Sequence, residues 1–285
     1  MIKDIINDFF KFLKKPNDVQ IQCSFNYKIK FLLVLLFFEL VFTFIIVIPV
    51  FSIIDSILSL KDKQINYSMT LLNSIFALVI LIPFLEELIF RKILRFQGIQ
   101  KKIISREKWD KIFPFLVYLF AIIFGFIHLS NYINSNAIFF ILSPFIILSQ
   151  LAGGFVITFI RVRLNFKWAV FYHFIWNLIF IILIPMTYSY LAKPYSDNTP
   201  NYSIVIEEKA FFKPEQEQSF KIDTLNGKIH ALNIRQYSIQ HVLDSIYGNK
   251  KYYVYDVLVN LDFKSKKGLG KEAFIELLQK EYDIE

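Results

Sequence analysis

A single cysteine, Cys23, stands in 285 residues, so no intrachain disulfide, CxxC redox pair or cysteine-rich metal site can form. No H-E-x-x-H run occurs, which removes the usual helical zinc-peptidase signature. The start, "MIKDIINDFFKFLKKP", ends at Pro16 without a small-residue cleavage site, so a cleavable signal peptide is not expected. Internal repeats and low-complexity linkers are also missing, and with them the repeat symmetry typical of carriers.

What is abundant is apolar surface. Apolar residues make up 55% of the chain, with 33 phenylalanines, and they come in blocks rather than in periodic stripes. Five blocks are long enough to span a bilayer, at about 31–53, 70–90, 112–129, 138–160 and 168–190. The expected fold is therefore an all-α polytopic transmembrane helix bundle occupying 31–192, preceded by an amphipathic N-terminal segment, 1–30. In that segment Ile2, Ile5, Ile6, Phe9, Phe12 and Leu13 share a face, while Lys3, Lys11, Lys14 and Lys15 can reach headgroups. Trp109, Trp168 and Tyr172 read as interfacial anchors, and Pro83 and Pro144 as kinks.

The net charge of +8 is concentrated in alternate connections. Residues 1–30 hold six lysines against three aspartates, residues 91–111 eight basic against two acidic groups, and Arg161, Arg163 and Lys167 follow the fourth block. This is the positive-inside pattern, placing the N-terminus and both basic loops in the cytoplasm of a multi-pass cell-membrane protein. The basic loops then meet anionic lipid in the bilayer surface, and no nucleic-acid partner is expected.

From about 193 the composition becomes that of a soluble domain, with 13 basic and 14 acidic groups in 191–285. Period-two stretches "YSIVIEEKAFF" and "KYYVYDVLVNLDF" alternate with helical "SIQHVLDSIYG" and "GKEAFIELLQKEY", giving a small C-terminal α+β domain over 193–285. "KPYSDNTPN", 193–201, reads as the hinge. Five spans from a cytoplasmic N-terminus place this tail outside, where it could bind another envelope protein.

Ionisable groups inside apolar runs are costly, about 2.5–3.5 kcal/mol at a bilayer centre on insertion scales, and so mark function. Glu86 and Glu87 end the second such run, with Arg91 four residues after Glu87. Glu86-Glu87-x-x-x-Arg91 makes Glu87 and Arg91 i,i+4 neighbours and leaves Glu86 about 100° away and free. Phe124-x-x-x-His128 ends the third block, and His173-x-x-x-Asn177 lies in the fifth. Each piece alone has a bland reading, an imidazole packed on a carbonyl or a structural ion pair. Gly153 and Gly154 read as close helix contact, and His230 and His241 as idle surface histidines.

Together the motifs supply a free carboxylate, two imidazoles and a carboxamide, a sufficient set for attack of water on an amide. A glutamate in an apolar pocket can take a proton from water and return it to the leaving amine. His128 could hold that water, and His173 and Asn177 could donate to the oxyanion. Glu86, His128 and His173 are equally acceptable ligands for Zn, the one metal the set suggests, and spacing does not choose between the mechanisms. A common depth for the groups requires the second helix to run on to about Gln97.

"EELIFR", then "FGFIH", then "HFIWN" resembles the CPBP family of intramembrane proteases, which includes type II CAAX prenyl endopeptidases and bacteriocin-processing or immunity-associated homologues. The resemblance covers about 70–190. It implies an intramembrane peptidase of glutamate or metallo type, acting on a peptide or membrane-protein substrate. Glu86 would activate water, Glu87 and Arg91 would support it, and His128, His173 and Asn177 would complete the site. The alternative is a non-catalytic CPBP-like membrane protein acting in binding or immunity.

Overall fold

The computed structural model describes residues 1–63 and 69–285. Among them are five helices long and apolar enough to cross a membrane: α2 (Phe25–Leu58), α3 (Leu71–Phe90), α4 (Arg106–Asn131), α5 (Ala137–Arg163) and α6 (Phe166–Leu191). An amphipathic helix, α1 (Ile2–Lys14), precedes them. Each span opens on a polar residue whose side chain accepts a hydrogen bond from a backbone N–H three residues on. These caps are Ser24, Thr70, Ser105, Asn136 and Asn165, and each satisfies a donor that the first helical turn would otherwise leave unpaired.

Three spans widen locally into π-helical turns, at Thr43–Val47, Ile75–Leu81 and Leu178–Leu183. Each widened stretch ends two residues before a proline, Pro49, Pro83 or Pro185. Proline has no N–H to give and its ring crowds the carbonyl four residues back, so the preceding turn opens to relieve the clash. α5 breaks differently, at Ile147, three residues after Pro144.

The chain divides into two compact units. One comprises Met1–Leu60 and Ala77–Leu178, the other Lys61–Phe76 and Ile179–Glu285. In the first, α1 packs its apolar side on the bundle, burying Ile5, Phe9 and Phe12. Phe9 and Phe12 each pack against Phe159 at 5.3 Å between ring centres, and Asp8 takes both Arg163 nitrogens, Nε at 2.7 Å and Nη2 at 3.0 Å. Trp109 and Tyr172 are not interfacial anchors. Both are buried, Trp109 donating to Asp18 and Tyr172 to Glu39, because each hydroxyl or indole N–H finds a carboxylate inside the bundle.

The basic loops are divided in their use of charge. Arg91, Arg95, Arg161 and Arg163 are buried, and Arg95 and Arg106 converge on Asp18, which also accepts from the backbone N–H of Phe96 at 2.7 Å. Lys92, Lys101, Lys102, Lys108, Lys111 and Lys167 stay exposed. The planar guanidinium suits fixed internal contacts, whereas lysine keeps a mobile charge in water.

In the second unit a five-stranded antiparallel sheet has the order β1-β2-β5-β4-β3, with β1 Tyr195–Asn198, β2 Tyr202–Lys209, β3 Ser219–Leu225, β4 Lys228–Ser238 and β5 Leu258–Leu269. Helices α7 (Ile239–Tyr247) and α8 (Lys271–Leu278) contribute Val242, Leu243, Phe274 and Leu278 to a core shared with Ile204, Ile234, Leu261 and Phe263. The stretch expected to be a hinge contains β1, because Tyr195 and Asp197 alternate with outward residues and pair with β2. The β3–β4 hairpin was not among the expected strands; it turns at Asn226-Gly227, both with positive φ, as a two-residue hairpin demands. Residues 192–194 alone join α6 to β1, and Thr70 at the start of α3 bridges Phe212.

Candidate active site

The expected extension of the second helix is not present: α3 ends at Phe90, and turns follow from Arg91. The end is fixed from outside. Arg161 of α5 donates through Nε to the carbonyl of Arg91 at 3.0 Å and through Nη2 to that of Lys92 at 3.1 Å. Those carbonyls belong to a helix terminus with no intrahelical donors left, so the guanidinium closes it. Glu86 and Glu87 consequently sit in the last turn of α3, about 6 Å from its end at 1.5 Å per residue.

The two glutamates face different surroundings, as their angular separation implied. Glu87 is fully buried and sits between two partners: His173 Nδ1 at 3.0 Å from Oε1, and Arg91 Nη1 at 3.3 Å from the same oxygen. Arg91 in turn lies over the Phe124 ring, its guanidinium carbon 3.8 Å from the ring centre. Glu87 Oε2 and both Arg91 terminal nitrogens make no hydrogen bond among the described residues. The pair holds by charge and by stacking on an aromatic face.

Glu86 is partly open, its side chain 24% exposed, and both histidines turn their Nε2 atoms toward it. His173 Nε2 lies 3.5 Å from one Glu86 oxygen and His128 Nε2 3.9 Å from the other. The ring orientations are set from behind. His128 Nδ1 lies 2.7 Å from the carbonyl of Phe124, which can only accept, so the proton is on Nδ1 and Nε2 of the neutral ring is an acceptor. His173 Nδ1 donates in the same way to Glu87. In this tautomer neither imidazole can donate to an oxyanion from Nε2; that role requires the imidazolium.

Asn177 joins the assembly by a route that the sequence did not suggest. Its Nδ2 donates to the carbonyl of Leu78 at 2.8 Å. Leu78 lies in the widened turn, where a carbonyl pairs with the N–H five residues on; here that residue is Pro83. The side chain of α6 supplies a donor that the backbone of α3 lacks, three residues before Glu86.

Five of the six residues singled out from the sequence, Glu86, Glu87, Arg91, His128 and His173, thus meet in the first unit, and Asn177 stands one turn beyond His173, tied to Leu78. Gly154 and Arg161 lie against Arg91 and were not singled out as site residues, nor were Tyr172, the neighbour of His173 in sequence, and its partner Glu39. Only Glu39 left a usable signal, as the lone ionisable group in the apolar run of α2. Gly154 shows its purpose only in three dimensions, where a Cβ would come 3.4 Å from both Arg91 Nη2 and Phe124 Cδ1.

As a metal site the set is incomplete in geometry. The donor types suit zinc, and both Nδ1 atoms have the backing partners that metal-binding histidines use. Among the described residues, however, no three His, Cys, Asp or Glu side chains converge closely enough to hold an ion.

Residues 68–179 match the family model described as Type II CAAX prenyl endopeptidase Rce1-like. No curated protein and no solved structure matches the chain. The matched stretch contains all three motifs, so the family model and the resemblance carried by the motifs agree over residues 68–179 of a multi-pass membrane chain.

Proposed function

We propose that the protein is an intramembrane endopeptidase in which Glu86 activates water for attack on a peptide bond of a membrane-embedded or peptide substrate. The observation that carries this reading is the convergence of two imidazole Nε2 atoms on the one partly open carboxylate, at 3.5 and 3.9 Å. Those gaps are too long for direct hydrogen bonds and of the size that one water, about 2.8 Å from each group, would bridge. Glu86 takes a proton from the water as its oxygen bonds to the carbonyl carbon. The acid so formed gives that proton to the departing amine as the C–N bond breaks. Neutral His128 accepts the water's other hydrogen and orients it. His173, held by Glu87, donates to the oxyanion when protonated, and the second N–H of Asn177 is the remaining nearby donor.

The N-terminus and the exposed lysines of the loops at 91–111 and 161–167 face the cytoplasm, and the C-terminal sheet lies on the opposite side, where it serves as a surface for another envelope protein. The test is cleavage of a membrane or peptide substrate by the full chain in liposomes, with wild type active and Glu86→Ala inactive. Equal turnover by the two overturns the reading and leaves a binding or immunity role for the fold.

A further inference from the structure

Glu39 is buried in α2 and takes no part in the steps above. Its Oε2 accepts a hydrogen bond from the Tyr172 hydroxyl at 2.6 Å, its one hydrogen bond among the described residues. Tyr172 is fully buried and immediately precedes His173 on α6. Space for the carboxyl is provided by α5, where a Cβ on Gly153 would come within 3.0 Å of Glu39 Oε1. The rest of its surroundings is an apolar groove lined by Phe10, Phe38, Phe42 and Phe155.

We propose that Glu39 and Tyr172 are a positioning pair that fixes the rotation of α6 about its axis and so aims His173 at Glu86. This rests on the hydrolase reading for its consequence, although not for its geometry. A histidine ring reaches about 6 Å from the helix axis, so a 10° rotation moves Nε2 by about 1 Å. A displacement of that size can cost about a hundredfold in rate. Without the tie, the polar contacts that hold α6 near the site are those of Asn177, one turn further on, and of His173 itself.

As a source of stability the pair is poor. A desolvated carboxyl with a single neutral donor recovers less than it loses on leaving water, and replacing such groups by apolar ones of similar volume is often neutral or stabilising. Orientation and stability therefore predict opposite outcomes for the same substitution.

The experiment uses the full chain in detergent, with ¹⁵N-labelled histidine, and records the ring nitrogens of His128, His173, His230 and His241 together with the thermal midpoint. The positioning role predicts that Glu39→Leu keeps or raises the midpoint while the His173 nitrogens shift and broaden, and that Glu39→Gln, which retains an acceptor, restores them. Tyr172→Phe reproduces the His173 change and serves if Glu39→Leu does not fold. His173 signals unchanged in both Glu39→Leu and Tyr172→Phe, or all four histidines changing together, overturn the proposal. On a cleaved substrate the same variants lower kcat about tenfold or more at unchanged KM. Failure of wild type to cleave anything counts against the hydrolase reading alone, since the nitrogen spectra decide the positioning role without it.

Discussion

The side-chain amide of Asn177 lies 2.8 Å from the carbonyl oxygen of Leu78, the carbonyl that Pro83 leaves without a backbone donor. If the amide substitutes for a missing N–H, its value depends on the proline. Asn177→Ala is expected to cost about 1 kcal/mol, the lower end of the penalty for an orphaned acceptor, since this one is part-buried. In a Pro83→Ala background the restored N–H reduces that cost to a few tenths. A double-mutant cycle on unfolding of the purified protein measures the coupling, and additivity of the two substitutions refutes the account.

Glu87, His173 and Arg91 form a buried chain in which the carboxylate is the middle member. Removing its charge with Glu87→Gln strands the guanidinium away from water, so a loss of about 3–5 kcal/mol is expected. Glu86→Gln, at the open end, is expected to leave stability within about 0.5 kcal/mol while abolishing cleavage. Chemical denaturation and activity measured on both variants separate the support role from the reacting one; equal destabilisation contradicts it.

Chelation bears on the choice of chemistry. With no three ligating side chains converged among the described residues, cleavage is expected to continue unchanged in 1,10-phenanthroline. Loss of activity that returns on adding Zn²⁺ would show that the histidines close on an ion.

The two adjacent glycines of α5 face different neighbours and are expected to differ. A Cβ at Gly153 meets Glu39 Oε1 at 3.0 Å, closer than ordinary contact, whereas at Gly154 the nearest atoms are at 3.4 Å. Gly153→Ala should therefore destabilise by about 1–3 kcal/mol and Gly154→Ala by less. The reverse order in thermal unfolding would contradict the packing described here.

Outside the membrane-spanning segments, burial raises the Asp256 carboxyl from its ordinary 3.8 to about 6, against the opposing hydrogen bond from the Gln240 backbone N–H. The folded state thus holds this proton more tightly than the unfolded chain. The contribution to stability is complete below about pH 4 and is lost as pH rises through 6, by at most about 3 kcal/mol for two pH units. Asp256→Asn is expected to flatten that part of the stability profile, measured by the midpoint between pH 4 and 7. An unchanged slope in the variant assigns the pH dependence elsewhere.

The five spans and the meeting of Glu86, Glu87, Arg91, His128 and His173 were legible because lipid-length apolar runs and charges within them are local signals. The end of α3 was not, since apolar Ile93 and Leu94 follow Arg91 and Lys92, and Arg161, 70 positions beyond Arg91, closes the helix. Trp109 and Tyr172 misled for a related reason: their polar ends suit an interface as well as a buried carboxylate, and sequence does not show that Asp18 and Glu39 wait for them. The β3–β4 hairpin escaped because its alternation is interrupted at Asp223 and Thr224, where the register shifts.

The three residues 192–194 between α6 and β1 span at most about 10 Å, and the bridge from Thr70 to Phe212 adds a second moor at the head of α3. Both ties lie within one compact unit, Lys61–Phe76 with Ile179–Glu285. A pull on the sheet is therefore taken up first by residues 71–76 of α3 and 179–191 of α6, which fold as part of the same unit.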